Sequence, residues 1–245
     1  MQFKFFLLFG TALAFYCFNV AFSQQHHAEN SPPKVTILAP AKNSGFQWNS
    51  IIPYSINISD KEDGNSEYNE ISTNEVLLKV LYLPDSSGTK KYLSEMSRIS
   101  TESRGLLLMT SSTCFMCHAA KNKLIGPSFN LIAKRYPNSA FSLEMLAKKV
   151  INGSTGVWGD VSMPPHPDLK IDQAKEIVRW ILENNSNPNL YYFTGIEGAF
   201  RTKEKPDKEY HKGVYILTAS YTDHGLKDIH KLRKRGQYTM VLKHS

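Results

Sequence analysis

Cys114, Cys117 and His118 stand in the pattern Cys-x-x-Cys-His, within Thr113-Cys114-Phe115-Met116-Cys117-His118. That pattern is the attachment signature of a c-type haem. Two cysteines three positions apart lie about one helical turn from each other, so both sulfurs can reach the two vinyl groups on one porphyrin edge. His118 follows at once and is placed to offer its imidazole to the iron. One covalent haem c is the cofactor this stretch calls for. Competing chemistries fit less well. A redox dithiol needs no histidine and usually sits in a thioredoxin-like βαβ setting, which the sequence lacks. Zinc would need a fourth ligand, normally from a second Cys/His pair, and the chain has none. A structural disulfide across the pair would close only a tiny loop.

An electron-transfer haem takes a second axial ligand. Met163 is the candidate, in Gly156-Val157-Trp158-Gly159-Asp160-Val161-Ser162-Met163-Pro164-Pro165. Prolines stiffen a loop that must hold a soft thioether against iron, and glycines let backbone pass close to a ring. A lone methionine is ordinarily core filling. This one lies in a Gly/Pro-bounded loop downstream of the haem motif, which favours ligation. His166 is the competitor, and bis-His ligation would lower the potential. With His118 and Met163 as metal ligands, no iron position stays open. A peroxidase or gas sensor is therefore not expected; the chain reads as an electron carrier with no catalytic residues rather than an enzyme.

Helices must position these groups. One is expected to start after Thr101 and lead through Leu106, Leu107 and Met109 into the motif. A second starts at Ser128 with Phe129, Ile132 and Tyr136 on one face. A third runs from a cap at Ser142 to about Gly153, and a fourth spans Ile171 to Glu183, with Ala174, Ile177, Val178 and Ile181 at helical spacing. The flanks read as β. Lys34 to Leu38, Ile51 to Ile58 and Val76 to Leu83 precede the helices; Leu190 to Phe193, Gly213 to Tyr221 and Gln237 to Leu242 follow them. Between the first strands, Ser59-Asp60-Lys61-Glu62-Asp63-Gly64 suggests calcium, but Gly64 falls one place early for an EF-hand loop. A solvated Asp-Gly turn is the plainer reading.

Residues 1–23 have the layout of a signal peptide: Lys4, an apolar run from Phe5 to Val20, and Ala21-Phe22-Ser23 before Gln24. Cleavage there removes Cys17 and leaves only the motif cysteines, in keeping with a periplasmic protein that has no transmembrane segment once processed. The formal charge is +7. Residues 24–100 carry 7 basic against 9 acidic groups, 101–188 carry 10 against 7, and 189–245 carry 11 against 6. An exported chain makes nucleic acid an unsuitable partner for this basic surplus; an acidic redox protein or membrane surface suits it.

Three separated motifs in order give a family resemblance. Cys114-Phe115-Met116-Cys117-His118, Ile125-Gly126-Pro127-Ser128-Phe129, and Asn152 to Gly159 leading into Met163-Pro164-Pro165, with the closing Val178-Arg179-Trp180-Ile181-Leu182, resemble the class I monohaem bacterial cytochromes c over about Thr101 to Asn185. The resemblance implies thioether links from Cys114 and Cys117 and axial ligands His118 and Met163. It also implies that the Pro127 carbonyl accepts a hydrogen bond from the His118 ring and that Trp158 lies near a haem propionate. More widely, the acidic loop, the helical part and Leu217 to Gly225 are similar to the cytochrome-containing part of glucose/sorbosone dehydrogenase fusions. That resemblance implies a quinoprotein sugar dehydrogenase as donor, and a terminal oxidase or another cytochrome as acceptor. The catalytic dehydrogenase domain of those fusions has no counterpart here.

The expected fold is α + β and multidomain. A signal peptide (1–23) precedes a β segment (24–100), an all-α cytochrome c domain (101–188) and a second β segment (189–245). Each β segment alone has too few strands to bury two faces. Pairing them gives an Ig-like sandwich of five or six strands with the cytochrome inserted. A carbohydrate- or surface-binding accessory protein is the alternative function, with Trp48, Tyr191 and Tyr192 as aromatics that could stack on sugars, though each is more simply a core or strand residue.

Overall fold

The computed structural model describes residues 29–99, 101–185, 187–206, 213–226 and 232–245. The expected signal peptide lies outside them. Before the helices run β1 (Lys34–Ala39), β2 (Gly45–Phe46), β3 (Ile51–Asp60), β4 (Gly64–Asn65) and β5 (Leu77–Leu83). The helices are α1 (Thr89–Ser97), α2 (Arg104–Ser111), α3 (Phe129–Arg135), α4 (Ala140–Asn152) and α5 (Ile171–Asn184); β6 (Leu190–Thr194), β7 (Glu197–Arg201), β8 (Val214–Thr222) and β9 (Arg235–His244) close the chain.

Strands from both flanks share both sheets. In one sheet β3 pairs with β1, with β4 and, from Ile51↔Arg201 to Ser55↔Glu197, with β7. The other has the order β2-β9-β8-β5-β6. β5 meets β8 from Leu77↔Ser220 to Leu83↔Val214. The helices leave from β5 and the chain returns as β6, its hydrogen-bonded neighbour. This makes nine strands among the described residues, more than the five or six expected. The additions are two-residue strands and β7, in which only Phe200 is buried.

The sheets meet over one core. Val35, Ile37, Tyr54, Ile56 and Ile58 from the first face Leu78, Val80, Tyr215, Leu217 and Tyr221 from the second. Alternation places those residues inward from each strand. β8 is buried at all nine positions because its other face is covered too. There Leu81, Val214 and Ile216 pack under Tyr92 and Leu93 of α1, while Leu77 of β5 and Tyr192 of β6 pack on the helices.

α5 is the helix that joins the parts. Its apolar positions recur at i, i+3, i+4 and i+7, so one stripe buries Ala174, Ile177, Val178 and Ile181 against α2, α3 and α4. Trp180 turns toward the sheet, its ring 5.0 Å from that of Tyr192 and edge-on. Such a pair contributes about 0.5–1.5 kcal/mol beyond its buried area.

Two helix starts differ from expectation. α2 begins at Arg104, because the Ser103 hydroxyl rather than Thr101 caps it, accepting from the Leu106 N–H. α4 begins at Ala140 under Ser139, whose hydroxyl accepts from the Ser142 N–H. Ser142 is buried inside the helix.

The acidic loop is a turn over Lys61–Asp63, as expected, with Lys61 exposed, but its carboxylates are engaged by protein rather than left to solvent. Asp60 is 7% exposed, and its Oδ1 accepts from the backbone N–H groups of Glu62 and Asp63. Asp63 Oδ2 accepts from the Tyr221 hydroxyl at 2.7 Å and the His224 N–H at 2.9 Å. The loop oxygens thus tie β3 to the end of β8. Among the described residues, no group of three or more His, Cys, Asp or Glu could hold a metal ion. No helix among them is long and apolar enough to cross a membrane.

Candidate haem site

α2 delivers the chain into a 3-10 turn, Cys114–Met116, entered through Thr113 in the left-handed region at φ 57°. The His118 N–H closes the turn by donating to the Cys114 carbonyl at 3.0 Å. Cys114 and Cys117 are not joined to each other as a disulfide, and burial pushes the Cys114 thiol up to about 11. A thiol held neutral and apolar suits a covalent anchor better than a redox dithiol, which works as a thiolate.

The His118 ring is fixed on three sides. Its Nδ1 lies 2.7 Å from the Pro127 carbonyl oxygen; a carbonyl only accepts, so Nδ1 carries the proton and Nε2 keeps its lone pair. Phe129 stacks on the ring at 5.5 Å and 22°, braced edge-on by Phe115 at 5.4 Å. Gly126 packs so close that any Cβ there would collide with the imidazole. Burial lowers the His118 pKa, with nearby His166 adding to that and the Pro127 hydrogen bond opposing it. A neutral imidazole in one tautomer is the form that binds a metal.

Met163 is set by a pair of backbone hydrogen bonds with Ser154, 3.1 Å and 2.8 Å long, across the neck of the loop. Gly153, at φ +79°, allows it: a side chain there would press on the Met163 carbonyl.

All six residues singled out in the sequence line one crevice: Cys114, Cys117, His118, Pro127, Trp158 and Met163. Ile177, Val178 and Ile181 of α5 form an apolar wall. The crevice holds about 1050 Å³ of space free of atoms, partly open to solvent. His166 is absent from the lining; its N–H donates to the carbonyls of Val150 and Ile151. Apolar walls, two adjacent thiols and an oriented neutral imidazole fit a haem attached through its edge.

Sequence reasoning missed the steric role of Gly126 and the Phe129 stack. A glycine beside proline after the motif was the available signal for the first. It also missed Arg135, whose guanidinium lies 4.9 Å over the Trp158 ring. Of the aromatics weighed for sugar stacking, Tyr192 is taken up by Trp180 and Tyr191 lies under the Lys121 ammonium at 5.9 Å. Trp48 meets Phe46 edge-on at 5.1 Å.

Fold and site together define a small haem-carrying helical unit docked on a two-sheet β unit. No protein-family model matches the chain. It is 34% identical over 76 residues to cytochrome c-551 of Pseudomonas aeruginosa, covering 31% of this chain and 72% of that protein. It is 37% identical over 75 residues to cytochrome c-551 of Azotobacter vinelandii, covering 31% of this chain and 90% of the relative. The solved structure of Nitrosomonas europaea cytochrome c552 shares 36% identity over 31% of this chain and 94% of its own, with a TM-score of 0.30. Through this stretch the chain belongs to the class I monohaem cytochromes c, the c-551/c-552 group. It carries one covalently attached haem c and is a c-type haem electron carrier.

Proposed function

We propose that the chain is an exported, periplasmic electron carrier in which Cys114 and Cys117 form the thioether links and His118 and Met163 are the axial ligands. The observation that carries the assignment is the convergence of all four, with Pro127 and Trp158, on one apolar crevice. Bound there, the haem supplies reversible one-electron chemistry. The protein's part is positional. Pro127 orients the His118 imidazole, Gly126 admits it, and Phe129 supports it. The Ser154 pair holds the Met163 loop. The buried α5 wall of Ile177, Val178 and Ile181 keeps water from that side, so little rearranges there as charge changes. A thioether ligand favours the reduced state and raises the potential.

By resemblance, the donor is a quinoprotein sugar dehydrogenase and the acceptor a terminal oxidase or another cytochrome; Trp158 lies near a propionate. The domain reading follows the strand pairing: residues 24–100 and 189–245 make one Ig-like sandwich, and 101–188 are a cytochrome inserted between β5 and β6.

Carbon monoxide tests the ligation. A reduced His118/Met163 site leaves CO no position and its visible spectrum stays unchanged, whereas reduced Met163→Ala binds CO; in the oxidised state the parent shows a weak sulfur-to-iron charge-transfer band at the red end, and Met163→Ala loses it. His166→Ala should behave as the parent. CO binding by the parent, or loss of the band in His166→Ala alone, would overturn the assignment.

A further inference from the structure

Behind the crevice wall stands a cation that no carboxylate among the described residues neutralises. Arg135, in the last turn of α3, lies with its guanidinium 4.9 Å from the centroid of the Trp158 ring and 5.9 Å from that of Tyr136. Both rings line the crevice. Among the described residues Arg135 makes no ion pair, and it is exposed. Trp158 sits in a loop between Gly156 at φ +81° and Gly159 at φ +111°, and a Cβ at either glycine would meet nothing within 4 Å. Nothing packs tightly on the loop at those points, so the stacked guanidinium is a contact that ties it to α3. A planar guanidinium holds an aromatic face through cation–π attraction and stacking together.

We propose that Arg135 is a positioning residue that also acts through its charge. By way of Trp158 it fixes the crevice wall, and it places there a positive charge that raises the reduction potential. The inference rests on the haem-carrying reading of the crevice. Each reduction brings one electron, and so one unit of negative charge, into the crevice from a partner redox protein. A cation held at its wall stabilises the reduced form over the oxidised one. The wall is mostly apolar, with Lys149 its one charged side chain, so the attraction is screened less than it would be between two charges in open water, and Lys149, common to the parent and every variant, leaves the comparison at Arg135 unaffected. Solvent on the outer side of Arg135 leaves it sensitive to salt, which acts over about 10 Å at 0.1 M. Two unit charges separated by a protein wall change such an equilibrium by roughly three- to tenfold.

The test is a potentiometric titration of the full chain at low and high salt, read in the visible spectrum against a fixed reference couple. Arg135→Gln should lower the equilibrium constant for reduction about three- to tenfold at low salt, and Arg135→Glu should lower it further. Arg135→Lys, which keeps the charge but not the plane, should stay within about twofold of the parent. Added salt should shrink the differences. Values for Gln and Glu within twofold of the parent at low salt would overturn the proposal. A loss in Arg135→Lys equal to that in Arg135→Glu would overturn it as well, because the loop contact and not the charge would then set the potential. A covalent-haem assay on each variant separates these results from failure of the haem reading, which alone would leave the parent without haem.

Discussion

The Nδ1 of His118 sits 2.7 Å from the carbonyl oxygen of Pro127, and this one contact decides which nitrogen of the ring is free. With the proton held on Nδ1, the Nε2 lone pair is available in a fixed direction. Gly126, immediately before that proline, leaves the room the imidazole occupies. Gly126→Ala should therefore displace the ring. The expected result is a stability loss of about 1–3 kcal/mol from overpacking, together with a changed visible spectrum. Thermal melting and absorption spectra check it; an Ala variant with the parent spectrum and melting point contradicts it.

Stability should depend on pH through His224. Its Nδ1 is 3.0 Å from Asp63 Oδ2 and its Nε2 is 3.1 Å from Glu75 Oε2. The Glu75 hydrogen bond, with charge attraction from Glu75 and Asp63, raises its pKa above the ordinary 6.5, against burial and Arg233. A raised pKa means that the folded protein binds the proton more tightly than the unfolded chain does. The stabilisation is fully present below about 6.5 and is lost as pH rises through the folded-state value. Melting temperature should fall across that window in the parent, and the slope should flatten in His224→Gln. The same slope in both proteins would contradict the assignment. Half of the His224 side chain is exposed, so solvent screening keeps the effect modest.

Most of the site was legible because its residues belong to local motifs. The cysteines and His118 are within five positions, Pro127 follows a glycine, and Trp158 and Met163 share one loop. α5 and β8 were equally plain, one by its 3.6-residue period and the other by its run of aromatic, aliphatic and β-branched residues from Val214 to Thr222. What was missed depends on distant partners. α1 buries no residue fully; Tyr92 and Leu93 are only half-buried, on a sheet whose strands lie elsewhere in the sequence. β7 shows only Phe200 as a buried apolar residue and exists because β3 offers it an edge. The Arg135–Trp158 contact joins α3 to a loop more than twenty positions away, which no local spacing encodes.

The shared core makes the first β segment depend on the last. Beyond Asn187, β6 to β9 supply Phe200, Tyr215, Leu217, Tyr221, Met240 and Leu242 to the core between the sheets. A chain ending at Asn187 should keep its haem spectrum, since the crevice lining comes entirely from residues before that point. Its first segment, from β1 to β5, should be unfolded and open to protease, because β3 and β5 lose partners along most of their length. A protease-resistant, cooperatively melting N-terminal segment in that chain would rule out the single sandwich.

The central claim is a covalent haem held by Cys114 and Cys117, and acid-acetone extraction of the purified protein tests it most directly. The haem should stay with the denatured polypeptide, and its alkaline pyridine spectrum should be that of a haem with two thioether links. The double variant Cys114→Ala/Cys117→Ala should retain none. Haem that passes into the acetone from the parent protein would contradict the account.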